Sequence, residues 1–338
     1  MQTTTVGLDL AKSVFCVHGI DAHGHVTLRK TIRRSKLLEL FAQLPACVIG
    51  MEACSGAQHW ARALLALGHT PRIMAAEFVT PYRHGGKNDS NDAAAICEAV
   101  TRPTTRFVPI KSVEQQAVLA VHRVRQGLVE ERTALVNRLR GLLSEYGIVI
   151  AAGIDRLRRA LPEVLEDGDN GVPSVARAVF ADVAEQLREL DARIAAYDRR
   201  LTALARASEP AQRLMQIDGV GAITATAIVA SIGDAKVFRN GRQFAAWLGL
   251  VPRQHSTGGK QRLGAITKHG DVYLRTLLIH GSRAVLRVTS KRDDAKSRWV
   301  ENLRRRRPEN VAAVALAAKH ARIIWALLAH GYPYHQAF

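Results

Sequence analysis

The chain has 338 residues, enough for two or three domains that each bury a core. Its hydrophobic share of 47% and charged share of 23% are ordinary for a globular protein, and no apolar run reads as approaching the ~20 residues of a membrane span. The formal net charge of +18 excludes nothing by itself, but it directs attention to polyanionic partners, which release counterions as they bind.

The N-terminal stretch MQTTTVGLDL has neither the basic start nor the long apolar segment of a secretory leader, so a cytoplasmic, nucleoid-associated location is expected. Cys16, Cys47, Cys54 and Cys97 lack paired CxxC spacing and read as reduced thiols rather than a zinc site. Residues 4–10, 14–19 and 25–32 read as three strands, 37–44 as a helix, 47–51 as an apolar strand, 58–67 as an amphipathic helix, 71–75 as a strand and 90–100 as an alanine-rich helix. This order predicts an α/β domain over residues 1–111, a mixed sheet covered by helices.

Residues 112–207 change character. Val121, Leu128, Leu135 and Leu142 recur every seven positions, and Val183, Leu187, Leu190, Ile194, Tyr197, Leu201 and Leu204 follow a 4-3 spacing. Apolar seams of this kind predict a long helical coiled-coil hairpin, with its polar turn at 166–173, or a dimerising coiled coil, with an ordinary helical bundle as the alternative. Residues 208–338 read as a mainly α domain. Between Arg239 and Val300 thirteen Lys and Arg face three acids, Asp271, Asp293 and Asp294, which puts the positive charge where a nucleic acid would lie.

Four carboxylates form the first candidate site. Asp9 sits on the first strand just before a turn, in GLDLAK, and Glu52 ends the fourth, in VIGMEA. Asp89 and Asp92 open the alanine-rich helix, in KNDSNDAA, three apart on one helical face. Each alone also reads as a turn, strand-end or cap residue. Together they can converge at one sheet edge, where carboxylates hold Mg2+ (or Mn2+) for phosphoryl transfer.

Ser256 is the second candidate. It sits in QHSTGGKQRLG among cations suited to phosphate, namely Arg253, Lys260, Arg262, Lys268 and Arg275, with Thr257 as a neighbouring hydroxyl. Gly258 and Gly259 read as letting backbone approach a ligand closely. Upstream, IDGVG places Gly219 and Gly221 in a helix-hairpin-helix-like turn whose amides suit a DNA phosphate, or in an ordinary helix corner. The four-arginine run at 304–307 reads as a phosphate contact or a solvated helix end.

The phrases GLDLAK, GMEACSGAQHWAR and GGKNDSNDAAAICEAV resemble the N-terminal motifs of insertion-sequence 110 family transposases, and RQFAAWLGLVPRQHSTGGKQRLGAITKHGD resembles their C-terminal domain, especially in the 1111 subgroup. The resemblance implies a RuvC-like RNase H fold in which Asp9, Glu52, Asp89 and Asp92 match the DEDD tetrad. Ser256 matches the serine proposed as DNA nucleophile, with the acids of one subunit assisting the serine of another. It also implies a homo-oligomer acting on double-stranded DNA with a structured noncoding guide RNA. Two alternatives stay open: a metal-dependent junction nuclease without serine covalency, and a non-enzymatic nucleic-acid binder.

Overall fold

The computed structural model describes residues 2–86, 88–331 and 333–334. The chain divides into two compact units, Met1–Val113 and Glu114–Phe338.

The first unit runs β1 (Thr5–Asp9), β2 (Val14–Ile20), β3 (Val26–Arg33), α1 (Leu37–Ala42), β4 (Val48–Glu52), α2 (Ala57–Ala66), β5 (Thr70–Met74), α3 (Ala76–Val79), α4 (Asp89–Val100) and β6 (Phe107–Val108). The six strands form one mixed sheet in the order β3-β2-β1-β4-β5-β6. β1, β4 and β5 are parallel, while β2, β3 and β6 pair antiparallel to their neighbours. All eight predicted elements of this region are present. β6 and α3 have no predicted counterpart, because two and four residues are too short to display a period.

The central strands are buried on both faces. Val6, Leu8, Ile49 and Met51 pack with Leu37, Phe41, Trp60 and Leu64 from α1 and α2. The alternate residues Gly7 and Gly50 are register partners on the opposite face, which α4 covers.

The second unit is helical apart from one hairpin: α5 (Val113–Ser144), α6 (Ile154–Glu166), α7 (Ser174–Ala207), α8 (Glu209–Leu214), α9 (Ala222–Ile232), α10 (Gly241–Trp247), β7 (Pro252–Gln254), β8 (Leu263–Ile266), α11 (Val272–Leu286), α12 (Ala295–Arg304) and α13 (Glu309–His330). α5 and α7 run antiparallel, joined by the ion pairs Arg125–Asp198 and Arg132–Asp191 (3.0 Å). Between them, α6 adds Leu157 and Leu161 to their shared core, so the connection holds a third helix as well as the predicted turn. The expected seven-residue seam also shifts: Leu142 is 41% exposed, and Leu139 and Leu143 are buried in its place. A straight helix drifts about 20° per heptad from a 3.5-residue repeat, and over 32 residues that drift moves the buried stripe.

The C-terminal core gathers α8 to α11 and α13 around Leu214, Ile228, Phe244, Leu274, Leu278 and Ile324. Contrary to the reading of the bare sequence, α13 is long and apolar enough to cross a membrane by length and composition. Its Leu316, Ala317, Ala321 and Ile324 are fully buried against neighbouring helices, as in a core helix.

Candidate active site: a carboxylate edge and a basic serine hairpin

Asp9 and Glu52 end the adjacent parallel strands β1 and β4, whose register pairs Leu8 with Met51. Two residues before each acid stands a glycine, on the same face of the sheet. A Cβ on Gly7 would lie 2.0 Å from Ala93 O and 2.4 Å from Cys97 N; one on Gly50 would lie 2.9 Å from Val100 Cβ. These glycines let α4 lie directly on the strands, which brings its first turn to their carboxyl ends. The Asn88 side chain caps α4 by accepting from Asn91 N at 2.8 Å, so Asp89 and Asp92 are not needed as caps.

The four acids meet electrostatically. The Asp9 carboxyl is pushed up to about 6, first by burial and then by repulsion from Asp89, Asp92 and Glu52. Asp92 also accepts from the Arg83 guanidinium at 3.3 Å. The nearby Cys54 thiol is raised by burial and by the charges of Glu52 and Asp9. Among the described residues no three acidic, imidazole or thiol groups stand close enough to hold one ion ready-made. Four carboxylates offer oxygen donors, the chemistry that hard divalent cations prefer.

Ser256 lies in the β7–β8 hairpin of the second unit. Its tip is a tight turn in which Gly258 (φ +55°) and Gly259 (φ +77°) both take positive φ, closed by Lys260 N donating to Thr257 O at 3.0 Å. The glycines thus serve the turn. Ser256 Oγ accepts from Gln254 Nε2 at 2.9 Å and from Arg262 N at 3.2 Å. Neither partner is a base. Arg253, Lys260, Arg262 and Lys268 are all exposed around it, and Lys268 holds a left-handed φ of 59°.

Arg275 is placed differently from a phosphate clamp. It is 7% exposed and donates to Leu248 O at 3.0 Å and His269 O at 2.9 Å, so its guanidinium ties together the two chain segments at the base of the hairpin. Gly219 (φ +84°) packs backbone to backbone on Gly281 of α11, where its missing Cβ would lie 2.6 Å from Gly281 O. Gly221 precedes α9 with open space around it. In the arginine run, Arg304 pairs with Glu301 at 2.9 Å, and the next three arginines are exposed.

The sequence reading missed Gly7, Gly50, Asn88 and Arg83. The glycines carried a signal, the shared offset in Gly-Leu-Asp and Gly-Met-Glu, and Asn88 stood at a helix start; Arg83 sits in a loop with no pattern to mark it.

Residues 6–148 match a family model described as a DEDD transposase of the IS110 type, and residues 211–298 match one described as transposase IS116/IS110/IS902 family. A probable family 20 transposase of Pseudomonas aeruginosa is 53% identical over 97% of this chain and 97% of its own length. The chain belongs to the IS110 family of transposases. Further relatives of this IS110-family transposase include the transposase for insertion sequence element IS1111A of Coxiella burnetii, 45% identical over 96% of this chain and 89% of that protein. The transposase for element IS1328 of Yersinia enterocolitica is 38% identical over 98% of both chains. Membership sets aside the non-enzymatic alternative. The DEDD family also implies dependence on a divalent metal.

Proposed function

We propose that this transposase cuts and rejoins double-stranded DNA at the ends of an insertion sequence and at its target, using Asp9, Glu52, Asp89 and Asp92 to hold Mg2+ (or Mn2+) and Ser256 as nucleophile. The observation that carries the reading is the convergence of Asp9 and Glu52, at the ends of adjacent parallel strands, with the first turn of α4, which bears Asp89 and Asp92. The strand order and the helix laid across it support an RNase H-like, RuvC-type reading of residues 1–111. Bound divalent metal would supply charge neutralisation at the reacting phosphate.

In the serine step, Ser256 Oγ forms a bond to phosphorus as the bond to the deoxyribose 3′ oxygen breaks. The serine proton passes to a base, and the departing 3′ oxygen takes up a proton. A 3′ hydroxyl from another strand then attacks the phosphoserine ester and frees the serine, so the number of phosphodiester bonds is conserved. Gln254 and Arg262 N hold Oγ as an acceptor and leave its proton free to be removed. Arg253, Lys260, Arg262 and Lys268 would hold flanking phosphates; at the helix-hairpin-helix-like turn Gly221 leaves room for another, while Gly219 is packed on Gly281.

The α5–α7 arm, within residues 112–207, is read as a coiled-coil surface for assembling a homo-oligomer, with residues 208–338 as the serine domain. A structured guide RNA remains part of the proposal through the family resemblance; its binding should weaken steeply with salt, and a flat salt response would remove it.

Among the described residues no base hydrogen-bonds Ser256, which favours a second reading, a metal-dependent nuclease without serine covalency. Ser256→Ala separates the two. Under the first reading, recombination falls to background and the protein–DNA adduct seen on denaturing gels disappears. Full recombination by this variant would remove the serine from the mechanism while leaving the carboxylates in place. Asp9→Asn and Glu52→Gln abolish strand cleavage under either reading.

A further inference from the structure

The first unit carries a cationic cleft that neither the carboxylate edge nor the serine hairpin uses. It measures roughly 640 Å³ and is bordered by Lys12 and Ser13 from the β1–β2 turn and by Arg33, Arg34 and Ser35 where β3 ends; Trp60 forms part of its floor. Among the described residues that line it, none is acidic. The Arg34 guanidinium is packed 5.0 Å from the Trp60 ring centroid and 5.7 Å from that of Phe15, which orders a planar cation before any ligand arrives.

Topology puts this cleft at the same end of the sheet as the acids. Asp9 pairs with Cys16 on β2, and Val14, two residues further out, pairs with Arg33 on β3. Two strand spacings across and two residues along give a separation of about 12 Å from Asp9. That is a reach of a few nucleotides along a DNA strand, with a rise of about 3.4 Å each. The acids lie on the face that α4 covers, and the cleft, bordered by Leu38 of α1 and Trp60 of α2, reaches the other face, so a strand bound there passes over that end of the sheet.

We propose that this cleft binds the sugar–phosphate backbone of the DNA strand entering the carboxylate edge, with Lys12 and Arg33 neutralising neighbouring phosphates and the stacked Arg34 fixing a third contact. The inference rests on the reading of Asp9, Glu52, Asp89 and Asp92 as the cutting site. Those acids repel a polyanion, so a strand needs cations beside them to stay in place.

The test uses the full chain and measures binding of a fluorescent 30-nucleotide DNA duplex, its single strand and an RNA of matched sequence over a salt series. Each lost phosphate contact lowers the slope of log affinity against log salt by about 1. Lys12→Ala with Arg33→Ala should lower the DNA slope by about 2, while Lys12→Arg with Arg33→Lys keeps it. Arg34→Lys, which retains charge without the planar stack, should weaken single-strand binding and leave the slope in place. Circular dichroism confirms that each variant is folded. An unchanged DNA slope in the double alanine variant, or a loss confined to RNA, overturns the proposal. Asp9→Asn serves as the separate check on the cutting site: it should abolish cleavage while retaining the full DNA slope, so failure of either reading is visible without the other.

Discussion

Asp9 carries the clearest consequence at the residue scale. Its folded pKa of about 6 lies above the ordinary value of 3.8, so between these two values the folded chain binds more protons than the unfolded one. Stability of the metal-free protein therefore falls as pH rises from about 4 to about 6, by roughly 1–3 kcal/mol once solvent screening is allowed for. Asp9→Asn should flatten that slope and be the more stable protein at pH 7.5 in the presence of a chelator, as read from urea midpoints. Adding Mg2+ should close the gap by stabilising the parent chain alone. A parent that stays the more stable in chelator, or a slope untouched by the substitution, would contradict the carboxylate cluster.

At the scale of elements, the site depends on how closely α4 lies on β1 and β4. Gly7→Ala drives a methyl into the helix backbone at Ala93 and Cys97, whereas a methyl at Gly50 would come no nearer than 2.9 Å to Val100 Cβ and 3.1 Å to Ile96 Cγ2 and O, a milder overlap. Gly7→Ala should cost about 3 kcal/mol and Gly50→Ala about 1, with cleavage lost in the first; urea denaturation that reverses the order would refute this packing account. The second unit has its own junction. The Thr226 hydroxyl donates to Ala222 O at 2.7 Å and so accepts from His122 Nε2–H, while Nδ1 takes the Tyr273 hydroxyl at 3.0 Å. This neutral, buried imidazole links α5, α9 and α11. Burial first, then Arg125 and Arg123, lower its pKa to about 4. Since the unfolded histidine gains its proton near 6.5, stability is lost as pH falls from about 6.5 to 4. His122→Ala should be less stable at neutral pH and lose that part of the acid limb, which denaturation at pH 7 and pH 5 would reveal.

For the whole molecule, the acids lie in one compact unit and Ser256 in the other. If the acids of one subunit serve the serine of a second, mixing inactive Asp9→Asn with inactive Ser256→Ala restores recombination in a fraction of mixed oligomers. Strand exchange on a DNA carrying an element end measures this; no recovery across all mixing ratios would place acids and serine in the same subunit. The charge of +18 makes DNA affinity steeply dependent on salt in any arrangement, so such mixtures are compared at one ionic strength.

The sequence by itself determined the eight main elements of the first unit, the helical character of the middle and the placement of the candidate acids at strand ends and a helix start, because strand and helix periods and short motifs are local properties. Asp9 and Glu52 were legible as strand-end acids, and Asp89 with Asp92 as one helical face. Only the tertiary structure decided that α4 reaches the strand ends, since that turns on two missing Cβ atoms, at Gly7 against the backbone of Ala93 and Cys97 and at Gly50 against Val100 and Ile96, some 46 to 90 residues away. It also sent Arg275 inward to two carbonyls, shifted the buried stripe from Leu142 to Leu139 and Leu143, and gathered Lys12, Arg33 and Arg34 around Trp60. A cation in a sequence has charge but no direction. Whether it meets carbonyl, carboxylate or solvent is fixed by the packing of segments far apart in the chain.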